Sequence, residues 1–165
     1  MSENGLAVFD TTIQETNEWL DGIMAGLGTT DRQMAYDAMR GALHALRDFI
    51  TPTEAANLSA QLPMLVRGIY YEGWKPTNAP AQARSRADFL DRVGMAFRDS
   101  FPVSPERAAR AVFAELDRRV TRGEMDEVRN QLPKDVRELW PPVVMPGNPE
   151  VTGAQQHGQF RETVQ

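Results

Sequence analysis

The feature that most constrains this chain is an internal repeat: Gln61-Leu-Pro-Met-Leu-Val-Arg67 returns seventy positions later as Gln131-Leu-Pro-Lys-Asp-Val-Arg137. Self-similarity at a fixed period sets architecture before any single element is read. Sliding the chain against itself by 70 residues, without a gap, pairs residues 17–76 with 87–146 and gives thirteen identities in sixty pairs. Ordinary composition would give about four. The identities include Leu20/Leu90, Asp21/Asp91, Ala38/Ala108, Arg40/Arg110, Leu46/Leu116, Thr51/Thr121 and Glu54/Glu124, and pairs such as Trp19/Phe89, Ile23/Val93, Leu43/Phe113 and Tyr70/Trp140 keep their apolar character. The chain reads as a tandem duplication, with a first repeat over residues 11–76, a linker over 77–84, a second repeat over 85–140 and a Pro/Gly/Gln-containing tail over 141–165.

Each half predicts four helices, so the expected class is all-α, about eight helices in one compact bundle with an irregular C-terminal tail. Ile13, Leu20, Ile23, Met24 and Leu27 recur at helical spacing, echoed by Phe89, Leu90, Val93 and Phe97. A second helix is expected after Thr30 with Gln33 as capping partner, and its copy after Ser104 with Pro105 in the first helical position. Thr51-Pro-Thr-Glu54 and Thr121-Arg-Gly-Glu124 both have capping-box spacing, the hydroxyl accepting from the amide three residues on and the carboxylate reaching back to the cap amide. Pro63 and Pro133 mark the start of the fourth helix, since proline lacks only an amide that the first turn does not use. The charges Asp21, Arg40 and Arg67 recur amid apolar spacing, which predicts ion pairs with the aspartate or capping of helix-end carbonyls.

The run Ile50-Thr-Pro-Thr-Glu-Ala-Ala-Asn-Leu-Ser-Ala-Gln-Leu-Pro-Met-Leu-Val-Arg-Gly-Ile-Tyr-Tyr-Glu-Gly-Trp74, preceded by a helix ending Leu-His-Ala-Leu-Arg-Asp, resembles the bacterial proteins catalogued as domain of unknown function 2267. The likeness spans about Thr11 to Trp140. It implies a small, helical, internally duplicated fold and a bacterial source, and it carries no catalytic residue or cofactor with it.

The 165 residues hold no cysteine, which removes disulfides, thiolate metal sites and a cysteine nucleophile. Met1-Ser-Glu-Asn-Gly5 lacks the features of a secretory signal and no apolar run approaches a membrane span, so a soluble cytoplasmic protein is expected. Net charge is −5 with both signs interspersed, which argues against nucleic acid as a partner. His44 and His157 stand alone, outside any metal-ligand spacing, and neither a metal nor a cofactor is expected.

Positions where the halves differ are where function is sought. Met64, Leu65, Gly68 and Tyr71 are replaced in the second copy by Lys134, Asp135, Glu138 and Pro141, and Trp74 stands where the copy has Val144. Together with Arg67 and Tyr70, the residues Met64, Leu65, Tyr71 and Trp74 make a candidate partner or ligand surface. The preferred expectation is that they fill the seam between halves, because a duplicated unit must bury a face against its copy; otherwise they form an exposed apolar patch. The leading function is a non-enzymatic interaction or adaptor module that binds another protein, with Phe160, Arg161 and Val164 of the tail as a docking segment and a homo-oligomer open. The alternative is a small-molecule binder or enzyme with a pocket between the halves lined by Tyr36, Arg67, Tyr70, Tyr71 and Trp74.

Overall fold

The structure is a computed structural model and describes residues 2–97 and 103–142. Among the described residues there are eight α-helices and no strand: α1 Ala7–Leu27, α2 Arg32–Phe49, α3 Pro52–Ser59, α4 Met64–Tyr71, α5 Arg86–Gly94, α6 Pro105–Arg119, α7 Arg122–Gln131 and α8 Lys134–Arg137, with a 3-10 turn at Pro76–Asn78. The later boundaries recur at the 70-residue offset: α2 and α6 end at Phe49 and Arg119, α3 and α7 begin at Pro52 and Arg122, α4 and α8 begin at Met64 and Lys134. α1 breaks this pattern, since α5 begins only at Arg86, the counterpart of Thr16.

Local chemistry explains most ends. Gly28 takes the left-handed conformation (φ 66°) that an L side chain resists, and the Thr29 amide donates back to the Met24 carbonyl, closing α1. α2 is capped by Asp31, whose carboxylate accepts from the Met34 amide at 3.2 Å. This corrects the expected Thr30/Gln33 cap: Asp31 is one residue nearer, and Gln33 instead donates to Asp37. Ser104 caps α6 as expected, accepting from Arg107, with Pro105 following. Pro63 and Pro133 sit at the cap position of α4 and α8, extended at ψ 151° and 149°, one residue before the first helical residue.

The halves interdigitate. α2 packs on α1, α4, α5 and α6, while α6 packs on α1, α2, α5 and α7. Phe49 meets Phe89 edge-on, Phe89 meets Phe113, and Phe113 stacks on Trp140 at 3.6 Å, so one aromatic row crosses from the first half into the second. Gly41 lets α2 approach α5 closely, because a Cβ there would collide with the Val93 carbonyl and come within 3.0 Å of the Ala96 methyl. The linker is strapped down rather than free: the Ala81 amide donates to the Asp48 carbonyl and the Arg84 guanidinium donates to the Gln131 carbonyl at 2.6 Å.

One repeated arginine in each half follows the carbonyl form of the expectation, while Arg40 pairs with Glu72. Arg67 donates to the carbonyls of Ser59 (2.8 Å) and Leu62 (3.0 Å), closing the end of α3, and Arg110 reaches the Glu138 carbonyl. Asp21 pairs with Arg32 rather than with Arg40 or Arg67.

Candidate functional site

The glutamine of each Gln-Leu-Pro acts where α3 meets α7. The Thr51 amide donates to Gln131 Oε1 at 2.9 Å, and the Thr121 amide donates to Gln61 Oε1 at 2.8 Å. Each repeated glutamine therefore caps the third helix of the opposite half, satisfying a backbone donor that the helix cannot. The threonine hydroxyls do accept from the Glu54 and Glu124 amides as expected. The reach-back assigned to the Glu54 and Glu124 carboxylates is the correction: the cap amides are already taken by the glutamines, and the carboxylates turn elsewhere.

They turn toward each other. Glu54 is 7% exposed, and carboxylate oxygens of Glu54, Glu124 and Glu127 all lie within 4.8 Å of one another. Burial, a hydrogen bond to Glu54 and the charges of Glu54 and Glu127 push the Glu124 carboxyl up to about 7. Oε1 of Glu54 and Oε1 of Glu124 are buried and receive no donor from another described residue, so a bond between the two carboxyls needs a proton on one of them; Glu54 Oε2 accepts from Gln131 Nε2 at 3.5 Å.

α4 divides the sequence-derived surface in two. Val66 and Tyr70 point inward and are fully buried; the Tyr70 hydroxyl donates to the Ala55 carbonyl, and burial pushes its phenol well above the ordinary tyrosine range. Met64 and Leu65 point outward, 56% and 42% exposed, so they do not fill the seam. The physical reason is register: on a helix whose buried stripe runs through Val66 and Tyr70, the two residues before Val66 fall on the other side. Beside them the Leu65 amide donates to Thr12 Oγ1 at 2.8 Å, which fixes the start of α4 against α1. Here Leu6, at the cap position of α1, and Val8, Phe9 and Ile13 within it are exposed. Leu6, Phe9 and Ile13 continue the helical stripe that lower down buries Leu20, Ile23 and Leu27. The outcome is an apolar face formed by the first turns of α1 and α4. Sequence reasoning missed Leu6, Val8 and Phe9, and the signal was available: α1 has no counterpart in the second half before Arg86.

The pocket drawn from Tyr36, Arg67, Tyr70, Tyr71 and Trp74 does not assemble. Arg67 is committed to carbonyls, the Tyr71 hydroxyl donates to Ser59 Oγ, and the Tyr71 ring packs against Tyr70 and Trp74 at 5.0 and 5.2 Å. Hollows open elsewhere. One of about 380 Å³ is bordered by Glu15, Glu18, Trp19, Gln61 and Arg119. Another of about 200 Å³ lies between α2 and α5, lined by Arg40, His44, Arg47, Asp48 and Arg92. There His44 Nε2 lies 2.7 Å from the Ile69 carbonyl, and burial holds its pKa below the usual histidine value, so the neutral ring donates this bond. Phe160, Arg161 and Val164 lie outside the described residues.

An all-helical body of interdigitated halves, with an apolar face on one of them, is the class that this geometry defines. The chain belongs to the family described as uncharacterized conserved protein DUF2267, whose family model matches residues 16–139. No curated protein matches the chain. No described helix is long and apolar enough to cross a membrane.

Proposed function

We propose that this chain is a non-enzymatic protein-interaction module of the bacterial cytoplasm, built as a tandem duplication, that docks a partner on the apolar face of α1 and α4. The observation that carries the reading is the exposure of Phe9, Ile13, Met64 and Leu65 on adjoining helix ends. Large apolar side chains gathered in one place, rather than scattered, mark interaction surfaces. The second half supports the reading by contrast, since Lys134 and Asp135 occupy the positions of Met64 and Leu65. Residues beyond Pro142 would tether or extend the contact.

A photo-crosslinking residue placed at 64 or 65, in cells of the source organism, is expected to yield a discrete adduct that Ile13→Ser abolishes, with none from 134 or 135. Adducts equal at both places, or absent from 64 and 65, would overturn the reading; deletion of residues 145–165 then reports whether the tail contributes. The 380 Å³ hollow beside Trp19, with Glu15, Glu18, Gln61 and Arg119 converging on it, favours a second reading as a small-molecule binder. A thermal-shift screen of small polar metabolites, with Gln61→Ala as control, separates the two.

A further inference from the structure

We propose that Glu54, Glu124 and Glu127 form a binding site for a hard divalent cation of the Mg²⁺ or Ca²⁺ class at the joint between α3 and α7. Three carboxylates converge from two helices, with oxygens within 4.8 Å of one another. Glu124 and Glu127 are three residues apart on α7, so both leave the same helix face, and Glu54 meets them from α3. Among the described residues no arginine or lysine forms an ion pair with any of the three. Among these residues, then, no ion pair offsets the charge of the cluster.

The second observation is Glu54 itself. It is 7% exposed and its buried Oε1 receives no donor from another described residue, although a buried carboxylate oxygen left unpaired is costly. A proton shared between Glu54 and Glu124 would satisfy one pair of oxygens but leave the Glu127 charge beside them. A cation uses all three. The donor set is oxygen only, without histidine, and cysteine is absent from the chain, which selects hard cations over zinc or copper. Water would complete the shell from the side of the exposed Glu127.

The test uses the full chain, stripped with chelator and desalted. At pH 8, Mn²⁺ as paramagnetic probe is expected to bind at one ion per chain, Mg²⁺ or Ca²⁺ is expected to displace it, and both are expected to raise the melting temperature saturably. At pH 6 the rise should shrink, because the ligands must be deprotonated. Glu127→Gln, an exposed position that relieves repulsion on Glu124, should fold with a metal-free melting temperature no lower than the parent and bind Mn²⁺ at least about tenfold more weakly, since even outer partners of metal ligands commonly cost that much. No bound Mn²⁺ at millimolar concentration, or equal binding by Glu127→Gln, would overturn the site. A chain that melts higher at pH 6 than at pH 8 with no response to any cation would assign the cluster to a shared proton and overturn it as well.

Discussion

Where α2 meets α5, Gly41 lies against Ala96; where α6 meets α1, Ala111 lies against Gly26, with a Cβ on Gly26 only 3.2 Å from the Ala111 methyl. The two pairs are related by the 70-residue offset, yet the glycine has changed sides. Charge is rearranged in the same way. The first joint holds Arg92 on α5 against Asp48 on α2 at 3.1 Å. In the second, Gly22 stands for Arg92 and leaves room for Glu115, a buried carboxylate on α6 held by Arg118 and by Arg119 at 2.8 Å. Each joint keeps one small residue against another and compensates its charge locally, so the pair of helices is what persists and not the residue at a position. Surfaces diverge further: the first half begins α1 and α4 with exposed apolar residues, and the second places Lys134 and Asp135 at the equivalent α4 positions.

The comparison can be broken most severely in the core. Leu46 and Leu116 are both fully buried at equivalent places, and replacing either by alanine is expected to cost about 2–5 kcal/mol in urea unfolding. Losses of similar size would support equivalent packing, whereas a loss confined to one half would break it. Next in size, Gly41→Ala forces α2 away from the Val93 carbonyl and is expected to cost about 1–3 kcal/mol. Its mirror, Ala111→Gly, loses only about 0.5–1 kcal/mol through helix propensity. Thermal melts of the two variants would sharpen the asymmetry of the joints.

Smaller effects address the reciprocal caps and the half-specific histidine. Gln61→Ala and Gln131→Ala each remove an acceptor from a helix-starting amide and are each expected to cost about 1 kcal/mol. A cost from only one of them would show that the exchange is not symmetric in energy. His44, whose counterpart is Ala114, is held neutral mainly by burial. Its folded pKa lies below the unfolded value near 6.5, so the folded state binds fewer protons there and this contribution, present above that pH, is lost as pH falls. An NMR titration of the ring should show a midpoint below 6.5, and a midpoint above it would contradict the buried-donor assignment.

The helices were legible because apolar spacing and capping residues act locally, and Ser104-Pro105 or Thr121 need no distant partner to do their work. The glutamines were visible only as identities. Their function depends on a backbone amide sixty or eighty residues away, which no local pattern encodes, and that same distant acceptor displaced Glu54 and Glu124 from the capping box. Met64 and Leu65 were recognised as divergent, but an apolar residue looks alike whether it fills a seam or faces solvent. Only the register of Val66 and Tyr70 against the core decides.

Under the proposed function, α4 builds the fold with one face and offers the other to a partner. Equilibrium urea unfolding of Val66→Ala beside the Met64→Ser/Leu65→Ser double variant tests this directly. Val66→Ala is expected to lose about 2 kcal/mol as a buried truncation, and each serine change to stay within about 0.5 kcal/mol. A double variant that unfolds as early as Val66→Ala would place Met64 and Leu65 in the fold and contradict the docking face.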